Sequence, residues 1–599
     1  MEKKNLEYLA DLRKSMAANG IDAVVISSTD PHQSELPPAH WRCREWLTGF
    51  ASENGTSGTA VVTPTEAYVW TDNRYFIQAT EQLKGTGFSM MPEDGPDAVD
   101  LIDWLVEHLD AGQTVGIDGM TFSISYAQRL QQELNDNGMK LNDKYTPFDE
   151  IYPDRPERPK NKIFIHDEAI VGEDVDSKMN DIISQVKTEL ANAVLLSSLD
   201  DIAWATNLRA ANDIPFSPIY LAFLYVSPSE RVLFVDSDKL TPEVEAHLQK
   251  YNIAVKPYDG VLDFVATLPK DVRLLLDPET TARGIYDRLS CTPVFGGDGI
   301  SRLKSIKNET MLSNLALAME KDGVALTKFF MYVEQQYPSG KLTEMSLCKE
   351  LRALRMADPS CVDESFAPII GWNEHAALPH YEPTAETDVA ITGDGLLLVD
   401  SGGQYTYGTT DITRTVALGT PTAEQIHDFT LVLKGNIALS CIKFPAGTRG
   451  SQLDVLARQY LWNEGKAYFH GTGHGVGFFI NCHEGPQSIR TQENLTALEP
   501  GMVTSNEPGL YLEGRYGIRC ENLVACKPWK TTEFGPFLQF VTLTLFPFDT
   551  TLLDTSIMTP DEISWLNAYH AEVKARLTPL LTPEEAAWLA RKTAPVAKA

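Results

Sequence analysis

The stretch Phe469–Gly477, FHGTGHGVG, sets two histidines four positions apart, with a glycine at every second position from Gly471 to Gly477. On a helix both imidazoles would share one face, as in a site of the HExxH type. Four glycines within seven residues would cost such a helix roughly 1 kcal/mol each relative to alanine, so the helical reading fails. As an extended strand, His470, Thr472 and His474 share one face, while Gly471, Gly473 and Gly475 line the other, where something approaches the backbone closely. At ~3.3 Å per residue the histidines stand about 13 Å apart, whereas a metal holds an imidazole at ~2.1 Å. They cannot bind one ion together. One is expected to be a ligand and the other to have a different task, such as contact with a substrate.

Partners for such a ligand are sought among acids in strand-like settings. LLLVDSGGQYTYGTTDITRTVAL, Leu396–Leu418, reads as two β-rich runs around a Ser-Gly-Gly turn region, with Asp400 ending the first and Asp411 opening the second. Antiparallel pairing of the runs would bring these two carboxylates together. Glu507 in TSNEPGLYLEG and Glu521 in GIRCENLVAC are also flanked by β-type residues. Four inward carboxylates among apolar neighbours are untenable without cations. Two divalent ions would set +4 against −4. Four carboxylates and one imidazole are an oxygen-rich donor set that favours Mn²⁺ or Co²⁺ over a thiolate-type zinc site, with Zn²⁺ still open. Paired ions of this kind suit hydrolysis, sharing a hydroxide nucleophile and polarising a carbonyl. Singly, each acid reads as a turn or cap residue; the ordered set carries the inference.

The rest of the chain bounds the setting. With 599 residues, 43% hydrophobic and 22% charged, it suits a globular protein of several cores. A formal net charge of −31 repels a phosphate backbone, so nucleic acid is not an expected partner. The eight cysteines form no CxxC pair or regular framework, which fits reduced thiols in a cytoplasmic compartment. The N-terminal MEKKNLEYLADLRKSMAANG has acids among its apolar residues and reads as an amphipathic helix, not a signal peptide. No stretch approaches the ~20 apolar residues that span a bilayer, and no membrane partner is expected.

An internal repeat organises the first half. VVISSTD (Val24–Asp30) recurs as VLLSSLD (Val194–Asp200), and VTPTEAYVWTD (Val62–Asp72) as VSPSERVLFVD (Val226–Asp236). The offsets, 194 − 24 = 170 and 226 − 62 = 164, preserve order and distance, which argues for two copies of one α/β domain. Each second motif reads as a hairpin with a Pro-Thr/Ser turn. Pro153, Pro156 and Pro159 mark the first boundary and Gly296–Ser305 the second. NETMLSNLALAMEKDGVALTKFFMYVEQ then holds helical spacing over about 28 positions, as one long helix or two. Helices are expected to start at Thr559 and Thr582, each a Thr cap followed by Pro and two acids.

GWNEHAALPHY, LLLVDSGGQY, TTDITRT, HGTGHGVG, NCHEGP, NEPGLY and ENL stand in the order found in the pita-bread metallopeptidases, and the sequence resembles their aminopeptidase P (Xaa-Pro aminopeptidase) group in its three-domain form. The resemblance covers essentially the whole chain. It implies an α/β (α+β) protein with creatinase-like domains at residues 1–155 and 156–305 and a pita-bread catalytic domain at 306–599. It also implies Asp400, Asp411, His474, Glu507 and Glu521 as ligands of two metals, usually manganese, which leaves His470 as the non-ligand. His380 and His483 match histidines that contact substrate and stabilise the developing oxyanion. His470, Tyr511 and Arg519 match further pocket positions. Arg74 of TDNRYF is a candidate substrate contact completed in a closed dimer, against the plainer reading of a surface salt bridge.

The implied reaction releases the N-terminal residue from peptides with proline second, with Glu507 moving the proton towards the leaving nitrogen. Alternatives are a prolidase, which cuts Xaa-Pro dipeptides and normally lacks the second N-terminal domain, and a peptide-binding pita-bread protein without catalysis, which would have lost ligand positions. Creatinase-type chemistry is disfavoured on the same ground. Similar proteins are homodimers, and Trp462 reads either as an interface anchor or as a core residue. FASENGTSGTAVV, Phe50–Val62, departs from the expected pattern by being longer and more polar than a compact glycine turn.

Overall fold

A computed structural model describes residues 2–52, 58–95 and 97–598, so residues 53–57 of the Phe50–Val62 departure lie outside the described residues. The chain divides into two compact units. One comprises Met1–Ile165, Glu173–Pro215 and Ile219–Ile300; the other comprises His166–Gly172, Phe216–Pro218 and Ser301–Ala599.

The first unit contains the repeat as two six-stranded sheets of identical topology. In sheet order the first runs Ser89–Pro92, Ala67–Thr71, Thr59–Val62, Ala23–Ile26, Thr114–Gly116 and Lys140–Asn142; the second runs Ile253–Lys256, Arg231–Phe234, Phe223–Val226, Ala193–Leu196, Arg273–Leu276 and Thr292–Phe295. The two repeated motifs pair with each other at the same register in both copies: Val24 faces Val62, and Val194 faces Val226, each across an antiparallel ladder. The repeated Thr or Ser makes the turn. Thr63 Oγ1 accepts from the Glu66 N–H at 2.9 Å and Ser227 Oγ from the Glu230 N–H at 3.0 Å, which satisfies the donor left over at the hairpin end. The copies pack on each other through a buried His32, whose ring nitrogens meet the Ser197 carbonyl at 2.8 Å and the Tyr258 hydroxyl at 2.7 Å.

In the second unit the apolar run after Asn308 forms one helix, Glu309–Gln336. Asn308 caps it by accepting from the Met311 N–H at 2.9 Å, and Leu312, Leu315, Met319, Leu326, Phe329, Phe330 and Val333 bury one stripe. Gly323 sits mid-helix because a Cβ there would stand 2.5 Å from the Leu545 carbonyl oxygen. Thr559 and Thr582 head the helices Pro560–Leu577 and Pro583–Lys592 with capping boxes to Glu562 and Glu585. These helices and Ala423–Cys441 share a core with the antiparallel sheet of Ile369–Trp372, Gly395–Ser401 and Ile412–Leu418 and with a six-stranded sheet. Among the described residues no helix is long and apolar enough to cross a membrane.

Candidate metal centre

The strand Gly395–Ser401 pairs antiparallel with Ile412–Leu418, Asp400 opposite Thr413 and Ser401 opposite Ile412. The two runs read from sequence are therefore partners. The Ser-Gly-Gly segment is not their turn, however: between them the chain leaves to form a second ladder, Gly403–Tyr405 with Gly408–Thr409. Asp400 and Asp411 are both buried at the end of the main ladder.

FHGTGHGVG is a strand only over Gly473–Gly475. A Cβ on Gly473 would lie 1.9 Å from the Ser505 carbonyl oxygen and one on Gly475 2.5 Å from that of Glu484, so both glycines admit neighbouring backbone. Gly471 meets nothing nearer than 3.5 Å, and the close-approach expectation does not apply there. Ser505, brought in by this approach, accepts from the His474 N–H at 2.9 Å and donates to Glu507 Oε1 at 3.0 Å.

The two histidines have different partners. His474 Nε2 stands 3.4 Å from Asp411 Oδ2 and 3.4 Å from Glu507 Oε1. Ligand atoms of Asp411, His474 and Glu521 all lie within 4.8 Å of one another, close enough to surround one ion. His470 instead meets the Tyr511 hydroxyl at 2.9 Å. That hydroxyl accepts from Arg519 Nη1 at 2.6 Å, and Arg519 pairs with Asp400 through Nη2. His470, Tyr511 and Arg519 therefore form a chain ending on a candidate ligand. His483 stacks edge-on to His474, ring centroids 4.4 Å apart. His380 follows Pro379, whose carbonyl accepts from Arg519 at 3.4 Å, and precedes Tyr381, whose hydroxyl donates to the buried Glu344 at 2.7 Å. Arg74 belongs to the first unit and forms a bidentate pair with Asp72 at 2.7 and 2.8 Å. Trp462 is 47% exposed, which rules out the core reading.

The electrostatics identify what the cluster accepts. Burial pushes the Glu521 carboxyl well up, and Asp411, Glu507 and Asp400 push further. Burial also raises Glu507 to about 7, against the pull of His474, and raises Asp400 against the pull of Arg519. Burial opposes charge on Asp411 too, yet His474, His483 and Cys482 hold it below the usual range. At His474 burial is overcome by Asp411 and Glu507, which raise it to about 9. Carboxylates that oppose one another's ionisation in a water-poor site are stabilised by added positive charge. Asp400 Oδ1 is buried with no hydrogen-bond partner among the described residues, an acceptor left open on this side of the cluster. Oxygen-rich donors, one imidazole and an open acceptor fit divalent cations.

Several supporting residues escaped the sequence reading. Thr413, which donates to Glu521 Oε2 at 2.7 Å, and Ser505, which donates to Glu507, each lie two positions from a candidate ligand, so that spacing carried the signal. Arg414, whose Nη1 binds the Glu521 carbonyl and whose guanidinium lies 3.9 Å from the Phe548 ring centre, carried none.

Fold and site together define a metal-dependent hydrolase with a duplicated α/β portion ahead of its active centre. The sequence matches the description "Metallopeptidase family M24" over residues 313–528 and its C-terminal region over 536–596, and two models of the creatinase/prolidase N-terminal domain over 9–151 and 154–311. It is 38% identical over 634 residues to aminopeptidase P2 of Arabidopsis thaliana, covering 99% of this chain and 89% of that one. It is 36% identical to a probable Xaa-Pro aminopeptidase P of Tuber melanosporum, covering 94% of each. The X-prolyl aminopeptidase of Caenorhabditis elegans, described as a cytosolic enzyme with a di-nuclear active site, superposes with a TM-score of 0.94 at 33% identity over 99% of this chain and 100% of that one. The chain belongs to metallopeptidase family M24, in its Xaa-Pro aminopeptidase P group.

Proposed function

We propose that this chain is a Xaa-Pro aminopeptidase, releasing the first residue from peptides whose second residue is proline. The observation that carries the reading is the convergence of Asp411, His474 and Glu521 on one centre, in a chain alike over its full length to proteins of that name. Asp400, Asp411, His474, Glu507 and Glu521 would hold two divalent ions, with Mn²⁺ favoured by the oxygen-rich set. Such ions polarise a carbonyl and lower the pKa of water.

The chain's own groups do the rest. Glu507 takes a proton from the attacking water and delivers it to the proline nitrogen. His380 and His483 donate to the oxygen that gains charge as the carbonyl becomes tetrahedral. Arg519 and Tyr511 hold Asp400 and His470 in place. Proline has no amide N–H, so selection rests on the ring's shape and not on that donor. A dipeptidase reading is less well supported. The relatives alike over nearly the whole chain, at 36–38% identity, carry the aminopeptidase P name.

The reading extends to a cytoplasmic homodimer anchored in part by Trp462, with Arg74 reaching substrate. Sedimentation of Trp462→Ala and the KM of Arg74→Ala test these two points. For the activity itself, the protein with Mn²⁺ is expected to cleave Arg-Pro-Pro and to leave Arg-Ala-Ala intact. Equal rates on both peptides, or cleavage confined to Xaa-Pro dipeptides, defeat the reading.

A further inference from the structure

The sequence segment Asn481–Pro486 brings a thiol into the centre. Cys482 is buried, and its Sγ donates to Asp411 Oδ2 at 3.4 Å. Its neighbour His483 is half-buried, next to the His474 ring. Two groups of three donors therefore share one residue: Asp411 with His474 and Glu521, and Asp411 with Cys482 and His483. In each group all ligand atoms fall within 4.8 Å of one another. Around a tetrahedral ion with N and O at ~2.1 Å and S at ~2.3 Å, donors stand about 3.5 Å apart, a spacing that small side-chain rotations reach from here.

The two groups differ in chemistry. Carboxylate-rich donors suit hard ions, whereas thiolate, imidazole and one carboxylate suit thiophilic, borderline ions. We infer that Asp411, Cys482 and His483 form a second, inhibitory site for a thiophilic divalent cation such as Zn²⁺ or Cd²⁺. On binding, the S–H bond breaks, a metal–sulfur bond forms and the proton leaves to solvent. The ion then occupies His483, which the proposed mechanism assigns to the oxyanion, and draws Asp411 away from the first group. The chain would thus work with a hard metal and be stopped by a thiophilic one. The inhibitory consequence rests on the peptidase reading; the coordination does not.

The experiment uses full-length protein carrying Cys441→Ser, which removes the cysteine whose side chain is exposed. Cd²⁺ is titrated into the Mn²⁺-loaded protein while the ultraviolet thiolate-to-cadmium charge-transfer band is followed, and the cadmium shell is read by X-ray absorption. The expected result is one sulfur neighbour, a band saturating at one ion per chain, and loss of the band in Cys482→Ser. With Arg-Pro-Pro as substrate, the Zn²⁺ concentration giving half-inhibition should rise about tenfold or more in Cys482→Ser, each protein being scaled to its own Mn²⁺-dependent rate. Cys482→Ala repeats the comparison should the serine variant fold poorly, and the X-ray arm needs no change at position 482. A nitrogen-and-oxygen shell, a band that persists in both variants, or equal zinc inhibition overturns the inference. A preparation that cleaves neither peptide sinks the peptidase reading and leaves the spectroscopic arms to decide the site.

Discussion

Arg519 and Asp400 form a buried ion pair, and the same guanidinium holds the Tyr511 hydroxyl, the Thr413 hydroxyl at 3.1 Å and the Pro379 carbonyl. One side chain thus orients a candidate metal ligand and the backbone ahead of His380. Loss of such an outer partner typically costs 10–100-fold in metal affinity or activity. Arg519→Gln is expected to lose that much Mn²⁺ affinity by isothermal titration. Arg519→Lys should recover only part, because an ammonium lacks the planar fork that spans Asp400 and Tyr511. Unchanged affinity in Arg519→Gln would refute the linkage.

Glu507 sits between His474 and Ser505. Replacing it by Gln keeps the shape and removes the proton acceptor, so kcat should fall by about 10²–10⁴-fold with a folded protein by circular dichroism. A variant within a few-fold of wild type would remove Glu507 from the reaction.

Gly473 and Gly471 form a matched pair of tests. The Gly473 Cβ site is filled by the Ser505 carbonyl, so Gly473→Ala should destabilise by about 1–3 kcal/mol or more and displace His474. Gly471→Ala, whose nearest neighbour is 3.5 Å away, should leave Tm and kcat close to wild type. Equal tolerance at both positions would contradict the packing described.

His570 predicts a pH dependence of stability. It is buried, and its Nε2 accepts from the Phe548 N–H at 3.1 Å, which requires the neutral ring. Burial, with Arg414 adding to it, pushes its pKa down to about 4. Above ~6.5 the ring is neutral in both folded and unfolded chains. As pH falls towards 4 the unfolded chain binds the proton first, so stability is present above 6.5 and is progressively lost between about 6.5 and 4, by up to roughly 3 kcal/mol. Denaturant melts at pH 7.5 and 5.0 should show this loss, and His570→Gln should reduce it. The same slope in the variant would assign it to other groups.

Glu344 links His375, at 3.0 Å, and Tyr381, at 2.7 Å, on either side of the segment leading to His380. Tyr381→Phe removes one bond to a buried carboxylate, and a drop of about 1–3 kcal/mol in stability is expected. If the network positions His380, kcat should fall more than KM changes. A KM effect alone would show that the tyrosine serves binding and not the oxyanion.

Much of this was legible in the sequence because the relevant signals are local or periodic. The repeat pairs Val24 with Val62 and Val194 with Val226 since a strand and its hairpin partner lie close in the chain. The caps at Thr559 and Thr582 need only the next three residues. Glycine density excluded a helix around His474, and an excess of acids in β settings implied cations before any contact was known. The length of the Gly473–Gly475 strand, the detour between Asp400 and Asp411, and the exposure of Trp462 were not legible, because each depends on what packs alongside.

By itself the sequence determined the duplicated α/β architecture and supplied the oxygen-rich candidate donors, since both rest on local or periodic signals. Only the tertiary structure decided that Arg519 holds Asp400, that Ser505 bridges His474 and Glu507, and that Cys482 enters the centre beside Asp411. The pairings Arg519–Asp400, Ser505–His474 and Cys482–Asp411 join segments far apart in the chain. Nothing in a residue's own neighbourhood specifies which distant carboxylate will neutralise it once both are withdrawn from water.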